Sequence, residues 1–205
     1  MPTSTAPNMH KPQMRSAAAQ LAAELQAGQV YRREDLSHLS NAVDRHLREL
    51  VDMGKLHKLA PGLYHAPQHS SYGPLPPSDE QLVQGFLRDK EFLVFSPSAY
   101  NTAGLGTTQL YNRTWVYNHK RHGVFRLGQR LFDFRVKPRF PKQLDPEFLF
   151  VDLINNLEEL AEDRDAVLSQ AHDKIPFFDA TTLQEAVHLY GNMATRKRFR
   201  KWALQ

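Results

Sequence analysis

The sequence predicts an α+β protein in two parts, and three observations predict it. An amphipathic stretch opening at Ser40 halts at Gly54 and gives way to two short runs separated by Pro61-Gly62. Between Gln109 and Val136 the period becomes that of strands, rich in aromatic and β-branched residues. From Pro146 to the end the pattern is helical again. The outline is an N-terminal winged helix-turn-helix followed by a C-terminal α+β domain with a small antiparallel sheet and a helical C-terminal part.

Residues 1–12 are polar and proline-bearing and read as a disordered lead-in. The winged-helix part covers 13–67, residues 68–78 form a linker, and 79–205 the C-terminal domain. Gln13 to Gln26 is alanine- and leucine-rich, hence helical by propensity, and Gly28 stops it. Val30 and Tyr31 lead into a short helix from Arg33 to Leu36 or Leu39. In the stretch from Asn41 to Met53, Val43, Leu47, Leu50 and Val51 recur at i, i+4, i+7 and i+8, one apolar stripe. Ser40 can cap that helix, and Asp44 favours its N-terminus. Asn41, Asp44, Arg45, Arg48 and Asp52 take the opposite side, with His46 at the flank. Pro61-Gly62 has the chemistry of a type II turn joining two short strands, the wing.

The segment 68–78 is a linker by composition, with a glycine, serines and three prolines. A helix over about 79–89 turns Leu82, Val83, Phe86 and Leu87 inward, and Phe92 to Phe95 reads as a buried strand. Ser96-Pro97-Ser98 reads as a cap for a short helix through Tyr100 to Leu105. Strands at Tyr111–Tyr117, Val124–Leu127 and Leu131–Val136 follow as a three-strand meander. Helices over 146–160, 165–171, 181–190 and 193–204 complete the chain, Gly191 separating the last two.

Composition narrows the chemistry. With 205 residues, 41% hydrophobic and 23% charged, the chain has the makeup of a soluble globular protein. No apolar run approaches the ~18 residues of a membrane helix, and the N-terminus lacks the apolar core of a secretion signal, so a cytoplasmic protein without membrane contact is expected. Zero cysteines exclude disulfides, thiolate zinc sites and cysteine nucleophiles. The net charge of +4 permits nucleic acid without requiring it. Basic residues crowd between Arg113 and Arg139, acidic ones between Asp145 and Asp173, and the last ten residues are basic again.

On the helix from Asn41, an asparagine can pair with adenine and an arginine with guanine through two hydrogen bonds each. Asn41, Arg45 and Arg48 are therefore the candidate base readers. At about 1.5 Å per residue their helix spans roughly 20 Å, enough to lie across a major groove about 12 Å wide. Lys55 and Lys58 in the wing, and Arg32 and Arg33 opening the second helix, are candidate phosphate contacts. Arg196, Lys197, Arg198, Arg200 and Lys201 surround Phe199 and Trp202 in the last helix. Two readings stand there: aromatics docked on the core with wet cations, or cations offered to DNA or to an acidic protein surface.

Other motifs lack their context. Gly104-x-Gly106 with Thr107 and Thr108 has no P-loop lysine, and Ser98 is no nucleophile elbow. His119 with His122, and His65 with His69, lack further metal ligands. Asp163-Arg164-Asp165 lies at an acidic helix end. No catalytic group, metal or cofactor is expected.

The runs GLYHAP, SYGPLPPS and SPSAYNTAGLGTTQ, with the strands that follow and AVHLYGNMATRKRFRKWAL, resemble the AbiEi-type antitoxins of AbiE-like toxin–antitoxin systems. The likeness runs from Gln13 to Leu204. Its most specific pieces are Gly62-Leu63-Tyr64, Gly73 to Pro77, and Asn101 to Gln109. The resemblance implies a non-enzymatic transcriptional regulator, linked to phage defence, that represses its own promoter through the winged helix. It also implies a C-terminal domain countering a cognate nucleotidyltransferase toxin. A monomer or weak dimer on inverted half-sites about 34 Å apart is expected. The alternatives are a stand-alone winged-helix repressor and an enzyme acting on nucleic acid.

Overall fold

The computed structural model describes residues 16–102, 104, 111, 113–160 and 163–204. The lead-in 1–12, the start of the first predicted helix and most of the Asn101–Gln109 motif, Gly106 to Thr108 included, lie outside the described residues. The architecture is mixed α+β, in two units, Met1–Phe86 and Leu87–Gln205.

In the first unit, α1 (Ser16–Ala23), β1 (Val30–Arg32), α2 (Arg33–Leu36, continued as a 3-10 turn to Leu39), α3 (Val43–Asp52), β2 (His57–Ala60) and β3 (Leu63–His65) follow in order. The strands form an antiparallel sheet in the order β1-β3-β2. Val30 and Tyr31, expected only to lead into a helix, pair with His65 and Tyr64 as its third strand. Leu21, Leu36, Val43, Leu47, Leu50 and Leu56 form the core beneath.

Gly54 ends α3 as expected, at φ +69°. Lys55 N–H donates to Leu50 carbonyl at 2.9 Å and Gly54 N–H to Val51 carbonyl at 3.0 Å, which is the Schellman pairing. Gly62 also has φ +69°, as the third residue of a type II turn requires.

The segment 68–78 is more than a linker. β4 (Gln68–Ser70) and β5 (Gly73–Leu75) pair as a small hairpin. The serine and glycine that read as a linker form the tip of this hairpin, where Ser70 Oγ accepts from Tyr72 N–H at 3.2 Å and donates to Gly73 carbonyl. The division between the units falls at the last residue of α4 (Asp79–Leu87), between Phe86 and Leu87, and not at 68–78. Gln81 Nε2 donates to Gly28 carbonyl at 3.0 Å, and a Cβ on Gly85 would stand 2.6 Å from Val30 Cγ1. Only a glycine allows α4 to approach β1 so closely.

The second unit holds β6 (Phe92–Phe95), α5 (Ala99–Thr102), β7 (Thr114–Asn118), β8 (Gly123–Leu127), β9 (Arg130–Val136), α6 (Pro146–Asn156), α7 (Arg164–Lys174), α8 (Ala180–Tyr190) and α9 (Met193–Trp202). The predicted meander is corrected: the sheet runs β6-β7-β9-β8, with β7 parallel to β9. Trp115, Val116 and Tyr117 are buried in succession on β7, as a central strand demands, while Val124 and Arg126 leave β8 exposed at an edge. Asn118 holds the intervening turn: its Oδ1 accepts from Lys120 and Arg121 N–H groups, and its Nδ2 donates to Arg121 carbonyl at 2.9 Å.

α6 is buried over Phe148 to Ile154, beneath an aromatic cluster of Phe95, Tyr100, Trp115 and Tyr117. The acidic block resolves into separate local roles. Asp145 and Asp163 cap helices, Asp152 is buried, and Glu159 pairs with Arg135 at 2.8 Å. Among the described residues no helix is long and apolar enough to cross a membrane.

Candidate nucleic-acid interface

Helix α3 carries Arg45 and Arg48, but it starts at Val43, so Asn41 is exposed in the turn before it and not on the helix as expected. Val43, Leu47 and Leu50 face the core and Val51 is half-buried, which leaves the other side to Asp44, Arg45, Arg48 and Asp52, all exposed. That division follows from the helical period alone.

His46 is a difference. Placed at the flank by its spacing, it is 3% exposed. Its Nδ1 meets Ser40 Oγ at 2.7 Å and its Nε2 meets Arg45 Nη2 at 3.3 Å. A guanidinium only donates, so Nε2 is the acceptor and the ring carries its proton on Nδ1, donating to Ser40. Ser40 Oγ also accepts from Ala42 N–H at 3.1 Å, inside the turn that precedes the helix. Ser40 therefore braces the turn before the helix and does not cap it as expected: Ala42 is the N-cap residue, and no side chain caps there. The effect is a rigid base for Arg45.

Arg33 and Asp44 form a bidentate pair, Nε to Oδ1 and Nη2 to Oδ2, both at 2.6 Å. The hydrogen bonds from Arg33 hold the Asp44 carboxyl below its ordinary range, and Arg33 is raised in turn. Arg33 is therefore on the surface beside α3 but already spent on a carboxylate.

Arg32 leaves the candidate set. Its Nε donates to Gly85 carbonyl at 2.9 Å, its Nη2 to Phe86 carbonyl, and the guanidinium lies over the Phe86 ring. Those are carbonyls of the last turn of α4, where a cation is favoured. The side chain is a clamp within the first unit, and nothing in the local sequence signals a partner more than fifty residues away.

Lys55 and Lys58 are exposed, one before β2 and one on it. The side chains of Arg48, Lys55 and Lys58 make no hydrogen bond or ion pair to any described residue.

In α9 the aromatic residues dock on the core: Phe199 meets Phe150 edge-on at 5.7 Å, and Trp202 packs on Phe199 at 5.1 Å. Arg196 Nη2 donates to His188 carbonyl at 2.8 Å and Arg198 lies over Trp202. Lys197, Arg200 and Lys201 are exposed. Of the basic run at 113–139, Arg135 stacks on Trp115 at 3.7 Å between Asp133 and Glu159. Lys120 pairs with Asp89 at 2.9 Å. Neither was marked by spacing. Among the described residues no group of three or more His, Asp or Glu could hold a metal ion.

No family model matches the chain. No curated protein matches it either. Among solved structures it is similar to the crystal structure of the RV2827C protein from Mycobacterium tuberculosis, at 15% identity and a TM-score of 0.53. That likeness covers 87% of this chain and 73% of the other. At such identity it is a likeness of fold alone.

Proposed function

We propose that the first unit is a winged helix-turn-helix that reads duplex DNA, and that the protein is an antitoxin-type repressor of its own promoter. The order α1, β1, α2, α3, β2, β3 with a β1-β3-β2 sheet supports the winged-helix reading. One observation carries the DNA reading. Arg45 and Arg48 stand exposed on the face of α3 turned away from the core, next in the chain to a hairpin that exposes Lys55 and Lys58. Base edges are met by the helix and phosphates by the hairpin. Repression then needs only occupancy of the promoter. The partner half, a nucleotidyltransferase toxin countered by the second unit, rests on the resemblance to AbiEi-type antitoxins carried by GLYHAP, SYGPLPPS and SPSAYNTAGLGTTQ.

Fluorescence anisotropy with DNA from upstream of the gene, against a scrambled duplex of equal composition, tests the first half. Preference for the native duplex that persists at raised salt is expected, and equal affinity for both removes specific readout. Co-expression with the product of the neighbouring reading frame tests the second half. Relief of growth arrest is expected, and no relief removes the toxin partner.

A further inference from the structure

In the second unit, α8, α9 and the turn at Ile175–Phe177 enclose a groove of about 660 Å³. Its walls are apolar: Ile175, Leu183, Val187 and Phe199 among them. The polar groups that reach it are Gln184, His188, Arg196 and Arg200, with no carboxylate in the lining. Groove size and lining suit a small ligand with an apolar body and few polar atoms.

Arg196 gives the charge its place. One guanidinium nitrogen, Nη2, donates to His188 carbonyl at 2.8 Å, while Nε is buried without a hydrogen-bond partner. A buried donor left unpaired is unfavourable, which favours any shift of the guanidinium that brings an acceptor to it. The arginine stem is also held closely, since a Cβ on Gly191 would stand 3.2 Å from its Cγ. Arg200 follows one helical turn later and is exposed at the rim. Two arginines beside an apolar trough, with no acid to neutralise them there, are complementary to a single carboxylate on a hydrocarbon chain.

We propose that this groove binds an apolar monocarboxylate, its chain along Leu183, Val187 and Phe199 and its carboxylate at Arg196 and Arg200. Calorimetric titration of the full chain with dodecanoate, below its micelle concentration, tests this. Saturable one-to-one binding is expected, at least tenfold tighter than for dodecanol, with no binding of dodecyltrimethylammonium. Ala203→Trp, which fills the groove from an exposed position, should abolish binding with the circular dichroism unchanged. Gln184→Glu should weaken dodecanoate and leave dodecanol unaffected. Absence of saturation, equal affinity for acid and alcohol, or undiminished binding by Ala203→Trp overturns the proposal. So does sedimentation as a dimer that Ala203→Trp breaks, which would give the groove to a second copy.

Discussion

Arg33 holds Asp44 through two hydrogen bonds of 2.6 Å, and the pair sits at the first turn of α3. An acidic side chain on the proposed DNA face would repel phosphate, and this one is matched by a cation from α2. Arg33→Ala should weaken DNA binding a few-fold, most clearly at low salt. Removing Asp44 as well should recover most of that loss. An anisotropy double-mutant cycle checks it: if the double variant stays as weak as Arg33→Ala, Arg33 meets phosphate itself.

In the proposed interface Arg45 reads bases and Lys58 meets phosphate. Arg45→Ala should lose about 1–3 kcal/mol of discrimination between native and scrambled duplex. Lys58→Ala should weaken both duplexes alike and lower the salt slope by about one. Titrations at several salt concentrations separate the two. Matching effects on specificity would show that the helix is not the reader.

Stability of the first unit depends on a contact far from that face. Gly85→Ala would drive a methyl group to 2.6 Å from Val30 Cγ1, and the χ1 of a β-branched side chain has little room to yield. A loss of about 1–3 kcal/mol is expected from urea unfolding. Arg32→Ala, which removes the clamp on the Gly85 and Phe86 carbonyls, should also lower stability. An unchanged unfolding midpoint for both variants would remove α4 from the first unit.

His65 makes the first unit acid-sensitive. Its ring is buried in the middle strand β3 with Nδ1 unpaired. Burial, and the neighbouring His57, push its pKa below the ordinary value of 6.5. The unfolded chain therefore takes up the proton first, so stability is full above about pH 6.5 and falls as the pH drops toward the lowered folded value. Thermal midpoints should decline between about pH 7.5 and 5, and His65→Gln should flatten that decline. An equal slope in the variant would assign the effect to other groups.

In the second unit, Asp152 is fully enclosed and accepts from Tyr100 hydroxyl at 2.8 Å and Tyr117 hydroxyl at 2.9 and 3.0 Å. Burial raises the pKa of the carboxyl and of both phenols, so the phenols remain donors. Tyr117→Phe removes one donor and should cost about 1–3 kcal/mol in denaturant. A neutral result would mean that Tyr100 alone satisfies the carboxylate.

Much of the first unit was legible because its signals are local. The stripe of Val43, Leu47 and Leu50, the stop at Gly54 and the turn at Pro61-Gly62 each depend on dihedral preferences within a few residues, and each stands where the sequence put it. The exposed positions of Arg45 and Arg48 followed from the same period, whereas Asn41 falls in the turn before the helix. His46 did not: a flank position on a helix is buried or exposed according to what packs beside it.

The sequence by itself determined which residues form helices and turns, and which side of α3 is polar. Only the tertiary structure decided that Arg32 is spent on α4, that Arg33 serves Asp44, and that β9 lies between β7 and β8. The physical reason is range. Capping and periodicity act between neighbours, whereas the acceptor of a guanidinium or the partner of a strand edge is chosen across separations of 11 to 53 residues, by burial and hydrogen bonding beyond the reach of those local rules.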